Sequence, residues 1–367
     1  MNGEPRSDRL VKLVADEGLD QLLVGDLVHP SETGREAGAN LRWLTGFSGS
    51  SGLALLGPEE RLFFTDFRYT ERAEREVGPE FERVTIERGL IPDTAGRLHG
   101  KVGYDDAQTS VRNLNKLSEI APDGVELVAV SGLVEKLRRH KDSWELEAIA
   151  KAARISDQVY EWIFERGVVG RTEREIMLDA HQRLRELGAE DPSFPAIVAA
   201  GENSALPHHD SSDREVQRNE ILLIDMGAIA NGYCSDCTRT VATGELEDEA
   251  RKVYEVVRSA QAAALDAIRP GVEGTEADAV ARDAIIADGY GDEFGHGLGH
   301  GVGIEVHEAP RLSRRSEEQL EAGDVVTVEP GVYLPGRFGV RIEDLVMVTD
   351  DGYRNLSGVA RDLRIVD

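Results

Sequence analysis

Four acidic side chains occupy equivalent places in two similar stretches of the sequence. EILLIDMG is followed by GYCSDCTRTVATG, and DVVTVEPG is followed by FGVRIEDLVMVTDDG. Each copy has a β-branched run, an acid with a glycine two residues later, a turn, and a second acid on a returning strand. The acids are Asp225 and Asp236 in one copy, and Glu329 and Glu343 in the other. Such a duplication of hairpins is expected to bring four carboxylates together.

Carboxylates on the apolar face of a strand need positive charge nearby, because an isolated buried ion is strongly disfavoured. Strand alternation places Asp225 on the face of Leu223, and Glu343 on the face of Leu345. The alternative is that one or two acids lie at strand ends, in solvent or paired with an arginine such as Arg239. Four acids in repeated hairpins favour a site that binds cations.

Three histidines lie in the glycine-rich stretch FGHGLGHGVGIEVHE, residues 294–308. The spacing of His296 and His300 imitates a helical zinc motif, but alternate glycines disfavour a helix and indicate close approach to a ligand or an adjoining strand. The third, His307, does not belong to an HExxH motif, because Glu308 is followed by Ala-Pro-Arg. Neither GxGxxG nor GxxxxGK[ST] occurs, which disfavours dinucleotide and P-loop sites.

One imidazole and four carboxylates form a hard, oxygen-rich ligand set that suits two divalent ions. We expect Mn²⁺, with Co²⁺, Fe²⁺ or Zn²⁺ as alternatives. Two ions about 3.5–4 Å apart would lower the pKa of a water between them toward ~7 and stabilise an oxyanion at a carbonyl. Hydrolysis of an amide is the chemistry that this predicts.

The two cysteines, Cys234 and Cys237, point to neither redox nor zinc chemistry. A zinc knuckle needs a second ligand pair nearby, and a thioredoxin-like CxxC opens a helix, whereas TRTVATG continues as an extended segment. Strand alternation would place Cys234 on the side of Asp236, and Cys237 on the opposite side.

The order of these motifs resembles the pita-bread metallopeptidases, in the Xaa-Pro branch that contains aminopeptidase P and prolidase. The motifs are D-x10-D, HGLGHGVGIEVHE, VEPGVY and GVRIED, and NLRWLTGFSGSSG and TDFRYTERA are similar to that branch's N-terminal domain. The resemblance covers almost the whole chain. It implies five metal ligands, namely Asp225, Asp236, His300, Glu329 and Glu343. Asp236 and Glu343 would bridge both ions, and Glu329 would also be the general base.

The resemblance also implies residues on the substrate side of the site. His208 would lie beside the substrate, whereas its neighbour His209 is expected at the surface. His296 and His307 would bind substrate or stabilise the tetrahedral intermediate. Arg341 would orient a carboxylate ligand or the substrate.

The implied reaction is hydrolysis of the bond that precedes proline, in a peptide with proline at its second position. The enzyme would be an Xaa-Pro aminopeptidase, the slightly favoured general label, or an Xaa-Pro dipeptidase. A catalytically inactive pita-bread binding module and a metal-free, creatinase-like C–N hydrolase are alternatives. Both are disfavoured because all five ligands are present. The resemblance further implies a homodimer.

The fold implied is a three-layer α/β domain of creatinase/prolidase type at residues 1–137, followed by a pita-bread catalytic domain at residues 138–367. Short apolar strands alternate with helical segments in the first part, which is typical of an α/β layer. In the second part, apolar periodicity and caps predict helices at 173–187, 247–268 and 275–288.

Charge is the strongest compositional signal. The 367 residues include 42 basic and 69 acidic ones, a net charge of −27, and only seven of the basic residues are lysines. Such a surface repels nucleic acids and anionic membranes. No apolar run reaches about 18 residues, and the N-terminus lacks the pattern of a signal peptide, so we expect a cytoplasmic protein.

Acid excess with scarce lysine is typical of proteins from salt-loving organisms, although an ordinary acidic protein is the alternative. We predict that the free energy of unfolding rises between low salt and molar KCl, because ~1 M salt screens the self-repulsion within about 3 Å. Urea unfolding at the two salt concentrations measures this. A stability that stayed constant or fell would remove the hypothesis of salt adaptation.

Overall fold

The computed structural model describes residues 4–25 and 38–367. The chain divides into two compact units, Met1–Arg138 and Arg139–Asp367. Within the described ranges, no helix combines the length and apolar character needed to cross a membrane.

The N-terminal unit is built on a mixed six-stranded sheet with the order β4-β3-β2-β1-β5-β6. Its strands are β1 (Gln21–Val24), β2 (Gly52–Leu56), β3 (Arg61–Thr65), β4 (Glu82–Thr85), β5 (Lys101–Asp105) and β6 (Glu126–Val130). The described helices are α1 (Arg6–Asp16), α2 (Ala39–Thr45), α3 (Thr70–Glu76), α4 (Leu90–Ala95), α5 (Val111–Ile120) and α6 (Leu133–Arg139). The apolar pattern predicts every strand except β4, whose residues are mostly exposed.

The C-terminal unit begins with two helices packed on two three-stranded antiparallel sheets. The helices are α7 (Ser143–Arg166) and α8 (Glu173–Glu186), and the strands are β7 (Asp191–Pro192), β8 (Ile197–Ala200), β9 (Ile221–Asp225), β10 (Ala228–Ala230), β11 (Tyr233–Cys234) and β12 (Thr238–Ala242). β9 lies between β8 and β12. Asp142 and Glu145 form a capping box that starts α7. Apolar side chains of both helices, β8, β9 and β12 share one core.

A second pair of helices covers the second set of strands. They are α9 (Asp248–Ala267) and α10 (Gly274–Ala287), with β13 (Gly299–Gly301), β14 (Glu308–Leu312), β15 (Val325–Val328), β16 (Gly331–Leu334), β17 (Phe338–Arg341), β18 (Asp344–Val348) and β19 (Tyr353–Asn355). One five-stranded sheet has the order β14-β13-β15-β18-β19, and β16 pairs with β17. The three helices predicted at 173–187, 247–268 and 275–288 are confirmed as α8, α9 and α10.

The two similar stretches fold as two similar antiparallel pairs. β9 pairs with β12, with Asp225 opposite Thr238, and β15 pairs with β18, with Val328 opposite Asp344. The first acid of each stretch therefore stands at or just after the end of the outgoing strand. Both acids therefore lie at the C-terminal end of the first strand of their pair.

Alternate glycines in the histidine-rich stretch let β13 approach its neighbours closely. A Cβ added at Gly299 would lie 2.0 Å from the carbonyl oxygen of Thr327 on β15, and one at Gly301 would lie 2.2 Å from that of Ala309 on β14. The glycines thus serve approach to adjoining strands, one of the two alternatives that the sequence leaves open.

We predict that Gly299→Ala lowers the free energy of unfolding by about 1–3 kcal/mol, because the new methyl group displaces β13 from β15. Urea unfolding measures the loss. Gly295→Ala is the matched control, since a Cβ there meets no atom within 4 Å. Equal stability of the two variants would contradict this account of the glycines.

Candidate active site

The nine site residues named from the sequence all line one cavity of about 420 Å³. They are Asp225, Asp236, His300, Glu329, Glu343, His208, His296, His307 and Arg341. Apolar side chains complete the wall, including Phe194, Ile197 and Val306. Residues more than 130 positions apart in sequence therefore share one concave surface.

Strand ends and the connections between strands present the four carboxylates. Asp225 is the last residue of β9, and Glu329 follows β15 directly. Asp236 lies two residues before β12, and Glu343 lies one residue before β18. The prediction that the second acids lie within the returning strands is therefore wrong. Both precede the strand, although Glu343 N still donates to the carbonyl of Thr238 at 3.1 Å, and both side chains line the cavity.

Hydrogen bonds fix some of the carboxylate oxygens and leave others without a partner. Thr238 Oγ1 donates to Glu343 Oε2 at 2.7 Å, and Arg341 Nη2 donates to Asp225 Oδ2 at 2.7 Å. Oδ1 of Asp225 and Oδ1 of Asp236 are buried, and no donor among the described residues reaches either. Buried oxygens without donors are costly, which makes them natural ligands for a cation.

The electrostatics of the cluster show a shortage of positive charge. Burial raises the pKa of Asp225, and Arg341 only partly opposes this. Burial, with repulsion from Glu343 and Asp225, raises the pKa of Asp236 well above its ordinary range, and the pKa of Glu343 is raised in the same way. In Glu329 burial acts in the same direction, but the His300 hydrogen bond and the positive groups nearby lower its pKa to about 2.

His300 is held in the orientation that a metal ligand needs. Its Nδ1–H donates to the carbonyl of Gly301 at 3.0 Å, which leaves Nε2 facing the acids. Nε2 lies 3.3 Å from Glu329 Oε1 and 3.7 Å from Asp236 Oδ2. A protonated Nε2 donates to Glu329, whereas a neutral one offers a lone pair to a metal ion.

The residues fit divalent ions. One candidate ligand atom from each of Asp236, His300 and Glu343 lies within 4.8 Å of the others, and all three residues are buried. Asp225 Oδ1 and Asp236 Oδ1 supply free oxygens at the same cavity. This oxygen-rich set with one imidazole suits hard or borderline dications.

A hydrogen-bonded chain that the sequence analysis missed links His296 to the carboxylates through Tyr333 and Arg341. The His296 Nδ1–H donates to the carbonyl of Gly297 at 2.8 Å, so its Nε2 accepts from the Tyr333 hydroxyl at 2.9 Å. Arg341 Nη1 donates to the same hydroxyl at 2.8 Å, and Arg341 Nε donates to Thr238 Oγ1 at 3.0 Å. Burial lowers the pKa of His296, which agrees with a neutral ring. Tyr333 in VEPGVY and Thr238 carried no separate signal in the sequence.

The structure corrects the prediction for His209 and separates the roles of the two neighbouring histidines. His208 is exposed and lines the cavity. The side chain of His209 is only 10% exposed, and its Nε2 lies 2.8 Å from Glu173 Oε2. His209 is therefore an internal residue and not a surface one.

His307 stands beside the metal-ligand set. Its ring lies 4.3 Å from the His300 ring, centroid to centroid, at an interplanar angle of 65°. Burial, followed by the positive charges of His300 and Arg311, lowers the pKa of His307 to about 4. The ring is therefore neutral near pH 7 and can donate or accept a hydrogen bond.

Arg311 on β14 is a cavity-lining residue that the sequence analysis did not identify. Among residues 4–25 and 38–367, no carboxylate forms an ion pair with its guanidinium. Its place after Glu308-Ala-Pro was visible in the sequence, but one arginine among many has no distinguishing pattern.

The two cysteines are buried and not bonded to each other. The Cys234 Sγ lies 3.3 Å from the carbonyl oxygen of Ile304, and the Cys237 Sγ lies 3.4 Å from that of Glu343. They belong to different apolar clusters, which agrees with the absence of a joint CxxC site.

Two family models match the chain. The model described as Metallopeptidase family M24 matches residues 147–350, and the one described as Creatinase/Prolidase N-terminal domain matches residues 6–140. The fold class and the resemblance drawn from the motifs are thereby confirmed.

Named relatives align over nearly the whole length. An Xaa-Pro dipeptidase of Pyrococcus furiosus is 34% identical over 363 residues, covering 98% of this chain and 99% of the relative. The solved structure of an Xaa-Pro dipeptidase from Bacillus anthracis has a TM-score of 0.92 at 36% identity, covering 98% of this chain and 99% of that one. An X-Pro aminopeptidase from Thermotoga maritima has a TM-score of 0.88 at 35% identity, covering 98% and 100%. On these matches, the chain belongs to metallopeptidase family M24.

Proposed function

We propose that this metallopeptidase is an Xaa-Pro dipeptidase that needs two divalent ions, with Mn²⁺ as the expected metal. The observation that carries the proposal is the meeting, at one cavity, of a cation-binding carboxylate cluster and the guanidinium of Arg311, with which no carboxylate of the described residues forms an ion pair. The names of the Pyrococcus and Bacillus anthracis relatives support the substrate class.

Asp225, Asp236, His300, Glu329 and Glu343 would hold the ions. When bound, such ions supply an activated water nucleophile and charge stabilisation for the oxyanion.

Glu329 is the general base of the proposal. Its side chain is 17% exposed, against 12% for Asp225 and 7% for Asp236, so it reaches the attacking water more readily than they do. In its ionised form this carboxylate can accept the proton of that water.

The remaining polar residues of the cavity bind and orient the substrate. His208 and His307 are exposed to the cavity and carry rings that can hydrogen-bond to the peptide. His296 and Arg341 act through Tyr333, which fixes both of them, and Arg341 also holds Asp225 in place. The homodimer, the cytoplasmic location and the adaptation to salt stay predictions.

Arg311 supports a dipeptidase over the aminopeptidase label that the sequence slightly favours. A dipeptide that ends in proline carries a free carboxylate next to the scissile bond, whereas a longer peptide carries a neutral amide there. The guanidinium fork of arginine binds carboxylates through paired charge-assisted hydrogen bonds. An arginine at the cavity that no described carboxylate pairs therefore favours substrates that end in proline.

We predict that Arg311→Ala lowers kcat/KM for Ala-Pro by about 10- to 100-fold, the loss of one charge-assisted hydrogen-bonded pair. Hydrolysis of Ala-Pro-amide, which lacks the carboxylate, should change little. Steady-state kinetics of the Mn²⁺-loaded enzyme on both substrates measures the difference.

Arg314→Ala is the control for this experiment, because Arg314 is exposed and close in sequence but does not line the cavity. Equal losses on the dipeptide and its amide would contradict the role of Arg311. A wild-type enzyme that cleaved Ala-Pro-Ala as well as Ala-Pro would favour an aminopeptidase.

The raised carboxylate pKa values predict a pH-dependent stabilisation by metal. In the folded, metal-free chain, Asp236 and Glu343 keep their protons above their ordinary pKa values of 3.8 and 4.5. The free energy of unfolding of the metal-free protein therefore falls as the pH rises and these two carboxyl groups lose their protons. Ions compete with those protons, so the gain in melting temperature on adding Mn²⁺ should grow from pH 5 to pH 8.

Each tenfold gain in affinity should add about 3–5 °C to the melting temperature of a domain of this size. Thermal unfolding with saturating Mn²⁺ and with chelator, at each pH, gives the difference. A gain that shrinks as the pH rises would show that these carboxylates do not hold the metal.

A further inference from the structure

Glu173, at the start of α8, is a completely buried carboxylate away from the metal ligands. Its side chain is 0% exposed, and residues 200–212, here called the His208 loop, surround it. The donors to its two oxygens are Ala200 N, Asn203 Nδ2, Ser212 N, Ser212 Oγ and His209 Nε2, at 2.8, 2.9, 3.0, 2.6 and 2.8 Å. One carboxylate thus gathers the first residue, the last residue and two intermediate residues of the loop.

This arrangement holds Glu173 in its charged form. Burial alone would raise the pKa of Glu173, but the hydrogen bonds from Ser212, Ala200, Asn203 and His209 outweigh it and lower the pKa. The N-terminus of a helix also favours a negative charge. An ionised carboxylate only accepts, so the Nε2–H of His209 is the donor to Glu173.

Backbone hydrogen bonds fix the two ends of the loop, and at its start Ala200 belongs to β8, which pairs with β9. Gly170 N donates to the carbonyl of Val216 at 2.9 Å, and Glu173 N donates to that of Arg214 at 3.0 Å, so the chain after the loop is fixed without any side chain. The Glu173 carboxylate adds hydrogen bonds from Ala200 N, from Asn203 Nδ2 and from the imidazole of His209.

We propose that Glu173 and His209 are positioning residues that hold His208 at the cavity. His208 and His209 are adjacent, so fixing the ring of His209 inward leaves the ring of His208 on the cavity side, where it lines the wall. Glu173 itself does not line the cavity and acts only through the loop. The inference deepens the proposed function, because the hydrolysis of Xaa-Pro dipeptides is one of its readouts.

The test is a double-mutant cycle on the Mn²⁺-loaded full chain. Glu173→Gln keeps the shape of the side chain but puts a donor where two donors already point. We expect kcat/KM for Ala-Pro to fall about tenfold in Glu173→Gln, and Glu173→Gln/His208→Ala to be within about twofold of His208→Ala alone. Additive losses would show a general structural effect and overturn the proposal.

Three further variants distinguish the loss of the Glu173 hydrogen bonds from a general effect of substitution at the start of α8. Glu175→Gln is the matched control, because Glu175 lies in the same helical turn but is exposed and caps only Thr172. It should keep its activity within about twofold of wild type. His209→Gln retains a donor toward Glu173 and should keep most of the activity, whereas His209→Leu should lose about as much as Glu173→Gln.

Amide hydrogen exchange supplies a readout that is independent of catalysis. Peptides spanning 196–212 should exchange about tenfold faster in Glu173→Gln and His209→Leu than in wild type, but not in Glu175→Gln. If Glu173→Gln does not fold, His209→Leu carries the test. Unchanged exchange in His209→Leu would overturn the positioning role. A wild-type enzyme without activity on dipeptides would refute the proposed function, and the exchange comparison would still decide the role of Glu173 and His209.

Discussion

The structure of the site depends on the repulsion among four carboxylates that lie close together at one cavity, three of them buried and Glu329 half-buried. Only one permanent cation, Arg341, pairs with any of them among the described residues, and it reaches only Asp225. In a medium of low dielectric constant, negative charges at this density raise one another's pKa values and destabilise the fold. The protein keeps these acids in place with hydrogen bonds from Thr238 and Arg341, and divalent cations are the charge that is missing.

A buried ion pair between Arg239 and Asp344 lies next to the site residues Thr238 and Glu343. Arg239 Nη2 donates to Asp344 Oδ1 at 2.6 Å, and Arg239 Nη1 donates to the carbonyl of Thr238 at 2.9 Å and also to that of Glu343. Both side chains are almost fully buried. Such a pair is weak evidence for net stability, but its removal on one side leaves a buried charge. Its consequence here is geometric, since it ties β12 to the start of β18, where Thr238 and Glu343 meet.

The sequence predicts the fold and the carboxylate cluster well, because both leave a repeated pattern. The duplicated stretches mark Asp225, Asp236, Glu329 and Glu343 without any structure. Periodicity predicts the long helices, because packing on one face selects the same spacing of apolar residues. It misses β4, whose exposed residues have no such constraint.

The sequence does not predict the orientation of side chains outside helices and strands. His209 was wrongly expected at the surface, since nothing local shows that the buried acceptor Glu173 lies 36 positions earlier. Asp236 and Glu343 are predicted within strands, yet they lie just before them. Within a strand, alternation alone would decide which face the carboxylate occupies, whereas outside a strand the local backbone decides it. Arg311 has no pattern of its own, and only the cavity identifies it.

The net charge of −27 and the positive groups of the cavity act over different distances. At physiological ionic strength the screening length is about 8 Å, and in molar salt about 3 Å, so charges on the outer surface contribute little inside the cavity. A dipeptide is a zwitterion with no net charge, and the acidic surface therefore neither attracts nor repels it strongly. In the proposed function, its carboxylate would lie near Arg311, and its scissile carbonyl would lie near the metal-binding carboxylates. Two dications balance the four carboxylates, so in the proposed function the charge of Arg311, more than the overall charge of the protein, would favour a substrate with a free carboxylate.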